Sequence, residues 1–249
     1  MATVTVITIA KNHSCGLKET ILSVLAQSFQ DWELILVIAP STDKTIEVAE
    51  EFSNTDIRIN YVVDSNSGIY QAMNQGLSLA KGDFCWFMNA GDKFASEDVL
   101  FDAVKILKST NQALIIGSHS VDHLDVRKKN LRTHEDYAAL RFAFTRKHGN
   151  HQAILYRTSS LKKSGGYSLS FYLASDFDVT LRMILEFGGL KTSKIYSIIE
   201  SGGIADTNLL QVHSEKHQIR KKVFESPFVA FLSFFWTVLA QLKFIVKHL

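Results

Sequence analysis

Phe84-Cys85-Trp86-Phe87-Met88-Asn89-Ala90-Gly91-Asp92 joins five apolar residues to a short polar turn that ends in a single carboxylate. A short apolar run bounded by a turn reads as a strand buried on both faces, and such strands belong to parallel sheets covered by helices. In an open sheet of that kind, ligands collect beyond the carboxyl ends of the strands. One acid delivered there can hold a divalent cation against a phosphate-bearing molecule. The competing reading of Asp92 is an ordinary turn residue following glycine.

Strand and helix signals alternate outward from this stretch. Residues 4–10 are rich in β-branched side chains and predict a buried strand; Lys11 to Ser14 form a turn. Residues 17–27 carry Leu17, Ile21, Leu22, Val24 and Leu25 at helical spacing. Residues 32–38 predict a second strand, broken by Pro40-Ser41-Thr42-Asp43, which offers a cap to a helix over 45–52. A third strand over 57–63 leads through the Asp64 to Gly68 loop into a helix over 69–80, closed by Lys81-Gly82. Downstream, helices are expected over 96–109 and 176–187, a helical turn over 159–163, and strands over 113–117 and 152–156; residues 131–145 carry no clear pattern. The alternation predicts an α/β fold with right-handed crossovers and a mostly parallel sheet flanked by helices.

Composition narrows the function classes. The chain has 249 residues, 46% of them hydrophobic, enough for a sizeable core. A net charge of +2 argues against a nucleic-acid partner, although basic residues cluster at Arg127-Lys128-Lys129 and Arg220-Lys221-Lys222. Two cysteines, Cys15 and Cys85, form neither a disulfide framework nor a zinc spacing, and a reducing cytoplasm suits them. The N-terminus enters a strand pattern without a basic leader, unlike a signal peptide.

Residues 228–246 stand apart. They are apolar and aromatic, broken only by Ser233, Thr237, Gln241 and Lys243, and they lie between the Arg220 cluster and Lys247-His248. Three placements suit them: an interfacial helix, a buried terminal helix, or a membrane span. The basic flank favours the first, with residues 220–249 on the inner face of the cytoplasmic membrane. The expected organisation is a catalytic domain over 1–205 and a helical extension over 206–249.

Several motifs, in order, resemble glycosyltransferase family 2, the inverting enzymes of the GT-A fold, in a subgroup making O-antigen and exopolysaccharide. They are Val6 to Asn12; Glu19 to Gln27 followed by Ser28-Phe29-Gln30-Asp31-Trp32-Glu33-Leu34; Ser41-Thr42-Asp43-Lys44-Thr45; Gly68-Ile69-Tyr70-Gln71-Ala72-Met73-Asn74-Gln75-Gly76; Asn150-His151-Gln152-Ala153; and Ser175-Asp176-Phe177-Asp178. The resemblance covers roughly residues 4–200. It implies a Rossmann-like GT-A domain that moves a sugar from a nucleotide-sugar donor, a UDP-sugar first, to a glycan or polyprenyl-linked acceptor. Asp92 then matches the metal carboxylate, for Mg²⁺ or Mn²⁺. Asp176 matches the general base that takes the acceptor hydroxyl proton, with Asp178 as second choice. Thr8, Ala10, Asn12, Ser41, Asp64, Tyr70, Asn74, Asn89 and His151 become donor-side candidates.

Each role has a plainer competitor. Ser175 and Asp176 suit a helix cap, His151 a structural histidine, and Tyr70 simple packing. Arg146, Lys147 and His148 read as a solvated face. Gly202 and Gly203 fit a loop that closes over the donor or plain turn glycines. The sequence also departs from the family: Ile38-Ala39-Pro40 stand where relatives carry an acid that reads the nucleobase. That departure supports a rival, a non-catalytic nucleotide-binding module of the same fold. A dinucleotide-binding enzyme is set aside, because residues 10–15 lack the glycine fingerprint.

Overall fold

The computed structural model describes residues 2–65, 68–121, 134–136, 138–144 and 150–247. The Arg127-Lys128-Lys129 run, Arg146, Lys147 and His148 lie outside the described residues.

The first half alternates strand and helix: β1 (Val4–Ala10), α1 (Ser14–Leu25), β2 (Trp32–Ile38), α2 (Thr45–Thr55), β3 (Ile59–Val63), α3 (Ile69–Leu79) and β4 (Phe84–Phe87). β1 pairs in parallel with β2 on one side and β4 on the other, and β2 pairs in parallel with β3. The second half holds β5 (Lys93–Phe94), α4 (Val99–Lys108), β6 (Leu114–Val121), β7 (His134–Asp136) and α5 (Ala139–Phe144). A 3-10 turn at His151–Ala153 then leads into β8 (Ile154–Arg157), α6 (Thr158–Lys163), α7 (Ser175–Phe187), β9 (Leu190–Ile199), α8 (Ile204–Thr207), α9 (Leu209–Phe224) and α10 (Pro227–Lys247).

The sheet runs β3-β2-β1-β4-β8-β6-β9-β5, with β7 on β9. The sheet is mostly parallel and flanked by helices, as expected, and it is mixed: β6 pairs in parallel with β9, and β8 is antiparallel to both β4 and β6. Successive residues of a strand point to opposite faces, and two cores follow. Val6, Leu34, Leu36 and Trp86 meet α1 and α4 on one face. Ile7, Cys85 and Phe87 meet α3, α6 and α7 on the other. Trp86 anchors the first core, with Phe94 and Tyr196 edge-on at 5.1 and 5.5 Å; burying a side chain of this size stabilises by roughly 1.5–3 kcal/mol or more.

Several boundaries move. Ile57, expected in the third strand, is 95% exposed and precedes it. Residues 151–153 form a 3-10 turn rather than the start of a strand, since the Ala153 N–H closes on the Asn150 carbonyl at 2.8 Å. Arg220, read as part of a lipid-facing cluster, points inward: it is 2% exposed and its Nε donates to the Ala143 carbonyl at 2.7 Å. No helix among the described residues is long and apolar enough to cross a membrane.

Strand order reverses at β1, whose neighbours β2 and β4 lead chain in opposite directions. Such a switch opens a crevice at the carboxyl ends of the strands, bounded here by the loops after β1 and β4.

Candidate active site

The turn after β4 is pinned from two sides. Its backbone continues the sheet, with Met88 N–H on the Ile7 carbonyl at 2.9 Å and Ala90 N–H on the Ile9 carbonyl at 3.2 Å. Thr20 of α1 holds the other side: its hydroxyl donates to the Asp92 carbonyl at 2.7 Å and accepts from Gly91 N–H at 3.0 Å. Gly91 has φ +95°, a region that favours glycine, and a Cβ there would collide with the Glu200 carboxylate.

Asp92 is 4% exposed and both of its carboxylate oxygens accept hydrogen bonds. Glu200 N–H reaches Oδ1 at 3.0 Å, and the Gln152 side-chain amide reaches Oδ2 at 2.9 Å. Burial pushes the carboxyl above its ordinary pKa; those two donors and the nearby His151 oppose the rise without cancelling it. A buried carboxylate whose charge is this weakly compensated favours a cation beside it.

Asn89, His151 and Asp176 form a line across the crevice. His151 Nε2 lies 3.2 Å from Asn89 Nδ2, and Nδ1 lies 3.6 Å from Asp176 Oδ2. Asp176 sits in the first turn of α7, and its Oδ1 accepts from Phe177 N–H at 2.8 Å. Burial opposes its ionisation, but His151, then Lys216 and the Phe177 N–H, outweigh that and hold its carboxyl below the usual range. A first-turn carboxylate also gains from the helix dipole.

The head of α7 is held by elements remote in sequence. Glu215 of α9 accepts from Leu173, Ala174 and Tyr172 N–H at 2.8, 2.9 and 3.3 Å. The Tyr70 ring stacks on Tyr167 at 5.6 Å, and burial, with the nearby Asp176 charge, raises the pKa of its hydroxyl. Lys216 lies beside Glu215, with its ammonium 5.2 Å over the Phe177 ring.

Ala10, Asn12, Ser41 and Asp64 ring the ends of β1, β2 and β3. Asn12 has a left-handed φ of 50°; its N–H donates to Ser41 Oγ at 3.0 Å, and its Oδ1 accepts from Thr42 N–H at 2.7 Å. Ala39 N–H closes on the Ala10 carbonyl at 2.9 Å. Asp64 N–H bonds the Ile38 carbonyl at 2.8 Å, and its buried carboxylate stands one strand over from the acid-free Ile38-Ala39-Pro40.

Two expected donor contacts have other placements. Thr8 is fully buried within the sheet, closed off from the crevice. Asn74 spends both ends of its amide on Tyr167, donating to the carbonyl at 2.8 Å and accepting from N–H at 2.9 Å. The structure adds Gln152, Glu200, Thr20, Glu215 and Lys216. Gln152 stood in the His151 motif, Thr20 in the Glu19 to Gln27 motif and Glu200 just before Ser201-Gly202-Gly203, so those three carried a local signal; Glu215 and Lys216 carried none. His13 also joins the group, with Nε2 2.7 Å from Glu200 Oε2 over Gly91.

Among the described residues no three His, Cys, Asp or Glu side chains converge to cage a metal. Asp92 keeps a free lone pair on each oxygen, so the donor set fits a Mg²⁺ or Mn²⁺ ion shared with substrate phosphates rather than a closed protein site.

Comparison with known proteins identifies the family and the fold. The model of glycosyl transferase family 2 matches residues 5–165. An uncharacterized glycosyltransferase of Mycobacterium tuberculosis is 32% identical over 185 residues, covering 74% of this chain and 69% of that protein. A PGL/p-HBAD biosynthesis glycosyltransferase of Mycobacterium bovis is 31% identical over 195 residues, covering 74% and 72%. Among solved structures, S. aureus TarS superposes with a TM-score of 0.71 at 19% identity; the match covers 94% of this chain and 41% of TarS. The mannosyltransferase PcManGT of Pyrobaculum calidifontis, solved with GDP-Man and Mn²⁺, superposes at 0.71 with 15% identity, covering 96% and 73%.

Proposed function

Because the chain belongs to glycosyl transferase family 2, we propose that it is an inverting glycosyltransferase acting on a nucleotide-sugar donor and a glycan or lipid-linked glycan acceptor. The observation that carries this reading is the line Asn89–His151–Asp176 beside the buried Asp92. One carboxylate is kept for the donor diphosphate and a second is kept ionised for the acceptor.

In the proposed step, the acceptor hydroxyl oxygen attacks the anomeric carbon and forms the new C–O bond. The bond from that carbon to the diphosphate oxygen breaks, and its electron pair leaves with the nucleoside diphosphate. Asp176 takes the hydroxyl proton. A bound Mg²⁺ or Mn²⁺ supplies charge neutralisation at the departing diphosphate. Asp92 would hold that ion, with Gln152 and the Glu200 N–H fixing its carboxylate. His151 and Asn89 line the path between the two acids. Asn12 and Ser41 bound the nucleoside end, and Asp64 supplies the acid that Ile38-Ala39-Pro40 lack.

TarS structures with UDP and with UDP-GlcNAc, and PcManGT with GDP-Man and Mn²⁺, support a nucleotide-sugar donor with a divalent ion. We read the donor as a UDP-sugar. The place of action we propose is the inner face of the cytoplasmic membrane, where lipid-linked glycans for cell-surface polysaccharide, such as O-antigen, capsule or exopolysaccharide, are extended.

A panel of nucleotide sugars, each incubated with Mn²⁺ and assayed for nucleoside diphosphate release, tests the reading. One donor turned over, and none with chelator, is expected. No release from any donor, with nucleoside diphosphate still bound in titration calorimetry, would transfer the assignment to the non-catalytic nucleotide-binding module that the missing acid at 38–40 favours.

A further inference from the structure

The last helix turns its polar side inward. Ser233 and Thr237 of α10 are buried, 0% and 8% exposed. Ser233 Oγ lies 2.9 Å from His217 Nδ1 and accepts a long bond from Arg220 at 3.5 Å, so small polar groups form the seam with α9. The outward residues are Phe228, Phe231, Leu232, Phe234 and Phe235, all exposed, the phenylalanines at 57–69%. At 3.6 residues per turn, these five fall on less than half of the helix circumference. A surface helix in water shows the reverse arrangement, and a contiguous exposed aromatic face marks an interaction surface.

Charge identifies what covers it. From Ser226 to Leu249 the sequence holds no Asp or Glu, and it holds Lys243, Lys247 and His248. At the end of α9, Lys221 and Lys222 are exposed, with Glu225 the one acid beside them. Two copies of this face would bring like charges together, whereas an anionic lipid surface would meet both the rings and the lysines. We propose that the aromatic face of α10 rests on an anionic lipid surface, with its phenylalanines in the headgroup boundary and Lys221 and Lys222 on lipid phosphates.

This docking face rests on the proposed function and deepens it, because it names the acceptor as one carried by a lipid surface. α9 links α10 to the catalytic helix. It binds Ser233 of α10 through His217, and it holds the head of α7, where Asp176 lies, through Glu215. A surface gripped by α10 is therefore two packed helices from the proposed general base.

Vesicle co-sedimentation of the full chain tests the proposal, using phosphatidylcholine alone and phosphatidylcholine mixed with phosphatidylglycerol. The expected result is binding to the anionic vesicles that weakens about tenfold or more in the Phe231→Ser, Phe235→Ser double variant. Lys221→Glu with Lys222→Glu should weaken it as well and flatten its salt dependence. These side chains are exposed, so circular dichroism and the melting point should match the parent. Equal sedimentation of the parent and the phenylalanine variant would overturn the proposal. So would a dimer in light scattering that the same variant dissolves while neither protein binds vesicles. The assay requires no sugar transfer: vesicle binding without donor turnover would remove the enzyme reading alone, and turnover without vesicle binding would remove this one alone.

Discussion

Asp92 and Asp176 are two carboxylates whose surroundings push them in opposite directions. Burial raises the pKa of Asp92, while His151, Lys216 and the Phe177 N–H lower that of Asp176 against its own burial. Paired acids separated in this way take separate roles. Asp176→Ala should lower kcat by about 10²–10⁴-fold, the typical worth of a general base, and leave donor KM near that of the parent. Asp92→Ala should instead abolish Mn²⁺-dependent binding of nucleoside diphosphate in a calorimeter. Full activity in either variant would remove that residue's role.

Lys216 permits a sharper test at the same scale. A group held below its ordinary pKa is ionised across the neutral range, so a base of this kind loses activity only on the acid side, as pH falls through its folded value. His151 and then Lys216 hold Asp176 down, and burial holds it up. Lys216→Met removes one of the two, so the acid limb of the kcat profile should move to higher pH; Lys216→Arg should return it. An unmoved limb in the Met variant would leave Lys216 a packing residue over Phe177.

At the scale of elements, two carboxylates hold helix ends that other parts of the chain supply. Asp43 accepts from Ser14 N–H at the start of α1 and from Thr45 N–H at the start of α2, each at 3.0 Å. The Thr45 hydroxyl and then the Ser14 N–H lower its pKa to about 2, against a small opposing effect of burial. A depressed carboxylate stabilises the fold above its unfolded pKa and loses that contribution as pH falls through the folded one. Asp43→Asn should therefore melt earlier than the parent at pH 7, with the gap closing as pH approaches 2; a gap independent of pH would contradict the assignment. Glu215→Ala should cost about 1–3 kcal/mol by leaving buried N–H groups at the head of α7 unpaired, and kcat should fall with it because Asp176 rides on that turn.

Those two acids also mark where sequence reading reached and where it stopped. The strands and helices up to β4 were legible, because their apolar periodicity is local and each is closed by a turn residue such as Pro40, Gly68 or Gly82. Asp43 was legible as a cap for the same reason. β9 was not read: Lys191, Ser193 and Lys194 interrupt its pattern, and its partners β6, β5 and β7 lie far off in sequence. α9 falls within the helical extension expected over 206–249, but its inward contacts were not legible, because its buried Glu215 and Arg220 bond groups that lie 41 and 77 positions away. At the site, Asp92, Asn89, His151 and Asp176 were found by motif and are brought together. Thr8 and Asn74 were placed by the same motifs, but burial and a second partner are properties that spacing does not encode.

At the scale of the whole molecule, the mixed sheet joins a parallel first half to a second half whose strands pair both ways. The parallel strands β3, β2, β1 and β4 gather Asp64, Ser41, Asn12, Asn89 and Asp92 at one edge, and the antiparallel β8 swings the chain back so that His151, Gln152 and Asp176 face them. Asp92 is itself a joint, because Gln152 and Glu200, both from the second half, hold its two oxygens. A nucleoside diphosphate with Mn²⁺ that engages Asp92 and the β1–β3 loops would stabilise both halves. A ligand at 100 times its Kd adds about 2.7 kcal/mol to the folded state, and for a chain of this size each kcal/mol moves the midpoint by about 2–4 °C. Saturating nucleoside diphosphate with Mn²⁺ should therefore raise the melting temperature by about 5–10 °C in a single cooperative transition. Chelator should remove most of that rise, and Asp92→Asn should remove it even with Mn²⁺ present. A rise that survives in Asp92→Asn would place the ligand elsewhere, and a rise confined to one of two transitions would mean that the halves melt apart and that the crevice is not shared between them.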